Sequence, residues 1–134
     1  MEYNNIFVNG TFDILHIGHL KLLNYARGLG KSLVVAIDSD RRVKIKKGKN
    51  RPVNSEAERK YFLENLKAVH EVKIFDSDDE LVEIIKEVQP DIMVVGSDWT
   101  NNQVIGSAFA KRLVYFERID GYSTTEIIKN LSDW

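Results

Sequence analysis

Two histidines three residues apart, His16 and His19, close the stretch Val8-Asn9-Gly10-Thr11-Phe12-Asp13-Ile14-Leu15-His16-Ile17-Gly18-His19-Leu20. If the chain there is the first turn of a helix or a tight bend, both imidazoles can face one point. Gly18 between them lets a ligand approach the backbone closely. Free backbone N–H groups and two imidazole donors would then converge on one anion. The plainer alternative is a pair of surface histidines, since three histidines in 134 residues is ordinary.

Three other stretches carry groups of the same kind. From Asp38 to Asn54 the chain reads as a loop, and seven of the eleven residues from Arg41 to Arg51 are Lys or Arg. These side chains could simply be solvated. A long loop with no apolar anchor, at the carboxyl end of a strand, is also a good lid for a polyanion. Arg59, on the first full turn of the helix that follows, is a weaker phosphate-binding candidate. In Gly96-Ser97-Asp98-Trp99 the Trp99 side chain either caps the core or touches a ligand. Arg118-Ile119-Asp120-Gly121-Tyr122-Ser123-Thr124-Thr125 is a turn that feeds a helix start rich in hydroxyls. Ser123, Thr124 and Thr125 offer O–H and N–H donors where the helix dipole favours negative charge, and Arg118 adds a fork suited to phosphate oxygens. Ser123 can act as an N-cap and share that helix end with a phosphate. His70, between a helix and a strand, has no such context and is read as a surface residue without a role.

The elements that must position these groups alternate in type. Ile6-Phe7-Val8 is a buried strand that stops at Asn9-Gly10, after which Leu20, Leu23, Tyr25-Ala26 and Leu29 recur at helical spacing. Further apolar strands are expected at Ser32 to Ile37, Val72 to Phe75, Ile92 to Val95 (ended by Gly96) and Leu113 to Phe116. Capping boxes at Ser55/Glu58, Ser77/Glu80 and Ser123/Glu126 open three more helices. The first of these should turn Tyr61-Phe62, Leu66 and Val69 inward, and Pro90 should end the second. A weak helix is expected from about Val104 to Ala110. Such β–α alternation implies a parallel sheet with helices on both faces, its ligand edge at the strands' carboxyl ends.

Composition sets the frame. Residues 1–134 are read as a single domain, 43% apolar and 29% charged, as in ordinary soluble proteins. No apolar run approaches a membrane span, and Met1-Glu2-Tyr3-Asn4-Asn5 lacks the regions of a signal peptide, so a cytoplasmic location is expected. With no cysteine there is no thiolate metal site and no thiol nucleophile. A formal charge of −1 argues against bulk nucleic-acid binding, so any affinity for anions must be local.

The pattern G-T-F-D-x-x-H-x-G-H, met without gaps from Gly10 to His19, resembles the signature of the cytidylyltransferase-like nucleotidyltransferases. Arg118 to Thr125 resembles that family's second signature, R-x-[ED]-G-x-S-T-T, and Gly96 to Trp99 its G-[GD]-D-[WY] element. The resemblance implies a Rossmann-like, doubly wound, mainly parallel five-stranded α/β sheet. It also implies transfer of a nucleoside monophosphate from a triphosphate to a phosphorylated sugar or alcohol, with release of pyrophosphate. It casts His16, His19, a lysine after the second strand and Arg118 as the catalytic set. Lys46 is the first choice for that lysine and Lys44 the second. Gly10, Thr11, Phe12, Gly18, Ser123, Thr124 and Thr125 would meet the nucleotide. Asp13, Asp38, Arg59, Asp98 and Trp99 would lie against the substrates, with Asp13 able to orient Lys46 or a metal.

Within the family two branches are matched. Arg51-Pro52-Val53-Asn54, Ile74-Phe75-Asp76, Ile105-Gly106-Ser107 and Gly121 to Thr125 are similar to the enzymes that adenylylate a heptose 1-phosphate. Asp98-Trp99 and Arg118 with Asp120-Gly121 are equally similar to the glycerol-3-phosphate cytidylyltransferases. Gly96-Ser97-Asp98 departs from the Gly-Gly-Asp usual in the heptose branch. ATP with a heptose 1-phosphate is therefore the first expectation and CTP with glycerol 3-phosphate the alternative.

Such a set suits transfer by positioning and charge neutralisation, without a covalent intermediate. The acceptor phosphate is already an anion and needs no general base. Mg²⁺ would ride on the triphosphate, so no metal ligands are assigned in the chain. Family members are commonly dimers, and Tyr3 and Trp134 are compatible with an interface. A non-catalytic nucleotide-binding module is a remote alternative, since such a module should have lost a histidine or the S-T-T. A Rossmann dehydrogenase is disfavoured because no G-x-G-x-x-G follows the first strand.

Overall fold

Strand residues alternate between two apolar layers in the computed structural model, which describes residues 3–96, 104–117 and 124–132. The elements run β1 (Tyr3–Gly10), α1 (Ile17–Gly28), β2 (Gly30–Asp38), α2 (Asp40–Lys47), α3 (Glu56–Glu64), β3 (Glu71–Phe75), α4 (Asp78–Val88), β4 (Ile92–Gly96), β5 (Arg112–Phe116) and α5 (Thr124–Ser132). Ile6 and Val8 of β1, with Leu33, Val35 and Ile37 of β2, pack against Leu23 and Ala26 of α1 and Leu63 of α3. Phe7, Val34, Ala36 and Met93 point the other way, onto Leu81 and Ile85 of α4. That period of two, apolar on both sides, is why these strands read as continuous hydrophobic runs.

The sheet order is β3-β2-β1-β4-β5, and all four pairings are parallel. Strand order reverses between β1 and β4, and a crevice opens at such a switch point beyond the carboxyl ends of the strands. The expected five-stranded, doubly wound α/β architecture is the one observed, with α1 and α3 on one face and α4 on the other.

Several local expectations are corrected. The basic stretch is not a bare loop, because its first half is α2. Ser39 caps that helix by accepting from the Arg42 N–H, and Gly48, at φ +104, ends it in a conformation that favours glycine. Val43, 1% exposed, is the apolar anchor that a charge-dominated sequence concealed. In α3 the Ser55/Glu58 box forms, but Tyr61 and Phe62 face solvent at 66% and 45% exposure. The inward pair is Arg59 and Leu63, four residues apart on one face. Leu66 and Val69 still join the core from the turn beyond the helix. At α4 Ser77 accepts from Glu80, whose carboxylate turns to the Asp76 N–H instead of completing the box. Val104 to Ala110 holds only a 3-10 turn, Ser107–Phe109.

Candidate active site

The turn from β1 into α1 is held in a costly shape. Phe12 and Ile14 sit at φ +53 and +49, a region that side-chain-bearing residues avoid and that clusters at functional sites. A Cβ on Gly10 would lie 3.0 Å from the Phe12 ring, so the close approach of this ring calls for glycine. Phe12 itself is buried in the core under α1 with its ring 5.2 Å from His19, which makes it a buttress for the histidine.

His16 is the N-cap of α1, and the two histidines cap reciprocally. His16 Nδ1 accepts from the Gly18 N–H at 3.1 Å, and His19 Nδ1 accepts from the His16 N–H at 3.2 Å. An imidazole that accepts at Nδ1 carries its proton on Nε2, so both rings are fixed as neutral Nε2–H donors. The rings stack at 3.8 Å. Burial, then the neighbouring His16 and Lys47, push the His19 pKa down to about 4, against a smaller opposite pull from Asp13. Gly18 thus spends its N–H on His16.

The two buried carboxylates of this edge hold different posts. Asp13 is buried and accepts from the Val53 and Asn54 N–H groups at 2.7 and 2.8 Å, which latches the Arg51-Pro52-Val53-Asn54 turn against the histidine loop. It holds backbone where contact with Lys46 or a metal was expected. Arg59 is corrected as well. At 1% exposure it donates to the carbonyls of Thr11, Asp38 and Asn54 and to Asp40 Oδ1, all within 3.0 Å. One guanidinium thereby ties the ends of β1 and β2 to the start of α2 and the turn before α3. Asp38 is the carboxylate that does reach the site, where it accepts from Thr11 Oγ1 and Arg42 Nε and pairs with Lys46 at 3.7 Å.

A cleft of about 380 Å³ opens at the switch point between Asn9-Gly10 of β1 and Val94-Val95 of β4. Its polar wall is Thr11, Asp38, Arg42, Lys46 and Lys47; its apolar wall includes Phe75, Leu81 and Ile105. Lys46 lines it, and Lys44 is not among its lining residues. Beside His19 stand the cation Lys47 and the buried carboxylate Asp13. Burial, then Arg51, lower the Lys47 pKa, and Arg51 sits 3.6 Å from Asp13 with its Nε and Nη2 buried and lacking a hydrogen-bond partner among the described residues. Cations crowded in this way favour an anion among them.

The structure therefore brings His16, His19, Gly10, Thr11, Asp38 and Lys46 to one edge. Asp98, Trp99, Arg118 and Ser123 lie outside the described residues, while Thr124 and Thr125 open α5. Arg42, Lys47 and Arg51 went unselected in the sequence, and only Ser39 ahead of Asp40, a cap with an acid in the first turn, hinted at the helix that carries the first two. His70 is exposed as expected, and its Nδ1 accepts from Leu33 N–H beside β3. Among the described residues no three His, Asp or Glu side chains cluster as a metal site would need, and no helix is long and apolar enough to cross a membrane.

The sequence profile of the cytidylyltransferase-like family matches residues 7–130. A bifunctional protein HldE of Campylobacter fetus subsp. fetus is 46% identical over 94% of this chain, and one of Nitratiruptor sp. is 44% identical over the same share. In each the match covers 27% of the relative, so the chain spans about a quarter of their length. Among solved structures, the lipopolysaccharide core biosynthesis protein of Thermoplasma volcanium superposes with a TM-score of 0.74 at 27% identity, over 88% of this chain and 99% of that one.

Proposed function

The chain belongs to the cytidylyltransferase-like family of nucleotidyltransferases, and on that premise we propose that it transfers AMP from ATP to a heptose 1-phosphate, forming ADP-heptose and pyrophosphate. The observation that carries this is the histidine pair: two neutral Nε2–H donors, locked by each other at a helix start, with Lys47 beside them. Donors fixed before reaction, aimed where charge grows on the α- and β-phosphates, lower the barrier without reorganising. The acceptor phosphate attacks the α-phosphorus in line and the bond to pyrophosphate breaks. Lys46 and Lys47 on α2, with Arg118, would neutralise the departing charge; Arg51, beside Lys47, adds a fourth cation. Gly10, Thr11, Ser123, Thr124 and Thr125 would contact the nucleotide, and Asp38, Asp98 and Trp99 the acceptor or the base.

Mg²⁺ would arrive on the triphosphate. The carboxylates of the described edge are committed, Asp13 to amides and Asp38 to Thr11 and two cations, which suits an ion carried by its own phosphates. Bound there, it would offset the negative charge of the triphosphate. The heptose branch is favoured by the Arg51 to Asn54 turn, here latched to the active-site loop by Asp13, and by relatives named HldE. A solved relative named for lipopolysaccharide core biosynthesis also fits a sugar-phosphate acceptor. Asp98-Trp99 supports glycerol 3-phosphate with CTP as the second reading. A homodimer in the cytoplasm completes the proposal.

Pyrophosphate release with Mg²⁺, over ATP, CTP, GTP and UTP against heptose 1-phosphate and glycerol 3-phosphate, tests it. Turnover confined to ATP with heptose 1-phosphate is expected; turnover with CTP and glycerol 3-phosphate would transfer the assignment to the second branch.

A further inference from the structure

Arg42 stands between two carboxylates of very different standing. Its Nε donates to Asp38 Oδ1 at 2.9 Å and its Nη2 to Asp78 Oδ1, while its guanidinium lies 5.2 Å from the centre of the Phe75 ring. The Arg42 side chain is 14% exposed and that of Asp38 7%, but that of Asp78 is 60% exposed. Asp38 also holds Thr11 and Lys46, so it is a fixed partner. Asp78, on the first turn of α4, contacts water over most of its surface and can rotate away at little cost.

The position of this pair gives it a use. Arg42 and Lys46 line both the switch-point cleft and an adjoining depression of about 320 Å³ that Asp76, Asp78 and Asp79 border, so the Arg42–Asp78 pair stands where the two meet. The cleft opens on the sheet face of the second apolar layer, whose Phe75 and Leu81 line it. Phe12, the ring that buttresses His19, belongs to the opposite layer. In-line displacement needs the acceptor opposite the departing pyrophosphate, and the cleft offers it a place on the sheet face opposite the Phe12 layer. The apolar wall suits the C–H faces of a sugar, and a planar fork fixed on an aromatic face suits a phosphate monoester.

Resting on the sugar-phosphate transferase reading, we propose that Arg42 receives the acceptor's phosphate and that Asp78 is the stand-in carboxylate the phosphate displaces. Asp78 then lowers the affinity for acceptor by competing for Arg42 and repelling the incoming dianion. The test is steady-state kinetics of the parent, Asp78→Asn, Arg42→Lys and the double variant, with each substrate varied in turn. Asp78→Asn should lower KM for the sugar phosphate about two- to fivefold and leave KM for the triphosphate unchanged. Arg42→Lys, which keeps the charge but loses the fork, should raise acceptor KM about tenfold, and in that background Asp78→Asn should have little further effect. A parent that turns over sugar phosphate while Asp78→Asn leaves acceptor KM unchanged, raises it, or shifts both KM values alike would overturn the proposal and leave the function standing. A parent that binds Mg·ATP in calorimetry but neither binds nor uses either phosphate acceptor would remove the sugar-phosphate reading, and this proposal with it.

Discussion

At the scale of single residues, the histidine pair joins a structural duty to a chemical one. The same Nδ1 atoms that cap α1 force the protons onto Nε2, so capping and donor placement are one arrangement. Protonating His19 would turn its Nδ1 into a donor facing the His16 N–H and would break the cap. His19 has a folded-state pKa of about 4 against an unfolded value near 6.5, so the unfolded chain binds the extra proton first as pH falls. Its contribution is therefore intact above pH 6.5 and is lost progressively down to about pH 4, by roughly 3 kcal/mol at most. Urea unfolding of the parent should show that decline, and His19→Asn, which can still accept at the cap without titrating, should flatten it. In turnover, His16→Ala and His19→Ala should each lower kcat by about a hundredfold or more, through loss of a preorganised donor.

At the scale of elements, α2 is the decisive piece. A helix bearing five cations fixes which of them face the site by its rotation, and Val43 sets that rotation by burying. Lys46→Ala and Lys47→Ala should lower kcat/KM by about tenfold or more, whereas Lys44→Ala should change it less than twofold, measured as initial rates of pyrophosphate release. Val43→Ala should destabilise by roughly 1–3 kcal/mol and raise KM for the triphosphate, because the helix loses its anchor. The buried Arg59 supports α2 from beneath, and Arg59→Met would strand Asp40 and three carbonyls. A loss of about 3–5 kcal/mol in urea unfolding is expected, with the urea midpoint falling even at saturating ligand.

Across the whole molecule, a net charge of −1 coexists with a locally cationic edge. The positive side chains of the 41–51 stretch lie beyond the carboxyl ends of β1 and β2, while acids crowd the first turn of α4. Because a ligand that binds only the folded chain stabilises it by mass action, Mg·ATP at a hundred times its Kd should add about 2.7 kcal/mol. In differential scanning fluorimetry that is a rise of several degrees in Tm. At equal concentration CTP should give a smaller rise if ATP is the donor, and the shift should shrink in high salt because the attraction is electrostatic.

The amino-acid sequence by itself determined the layer architecture and the place of the chemistry. Apolar strands with period-two burial, Ser55 and Ser77 as caps, and the run from Gly10 to His19 are local signals, carried within a few residues, and they survive folding unchanged. What lay beyond its reach depended on contacts between distant segments. Asp13 meets Val53 and Asn54 forty residues on, and Arg59 meets Thr11 and Asp38 across two strand ends. No periodicity announces such pairs, so a latch and a buried staple resembled substrate contacts. Only the tertiary structure decided that α2 exists, because a buried valine anchors a helix that carries five cations, and that helix in turn selects which lysines and which arginine look into the cleft.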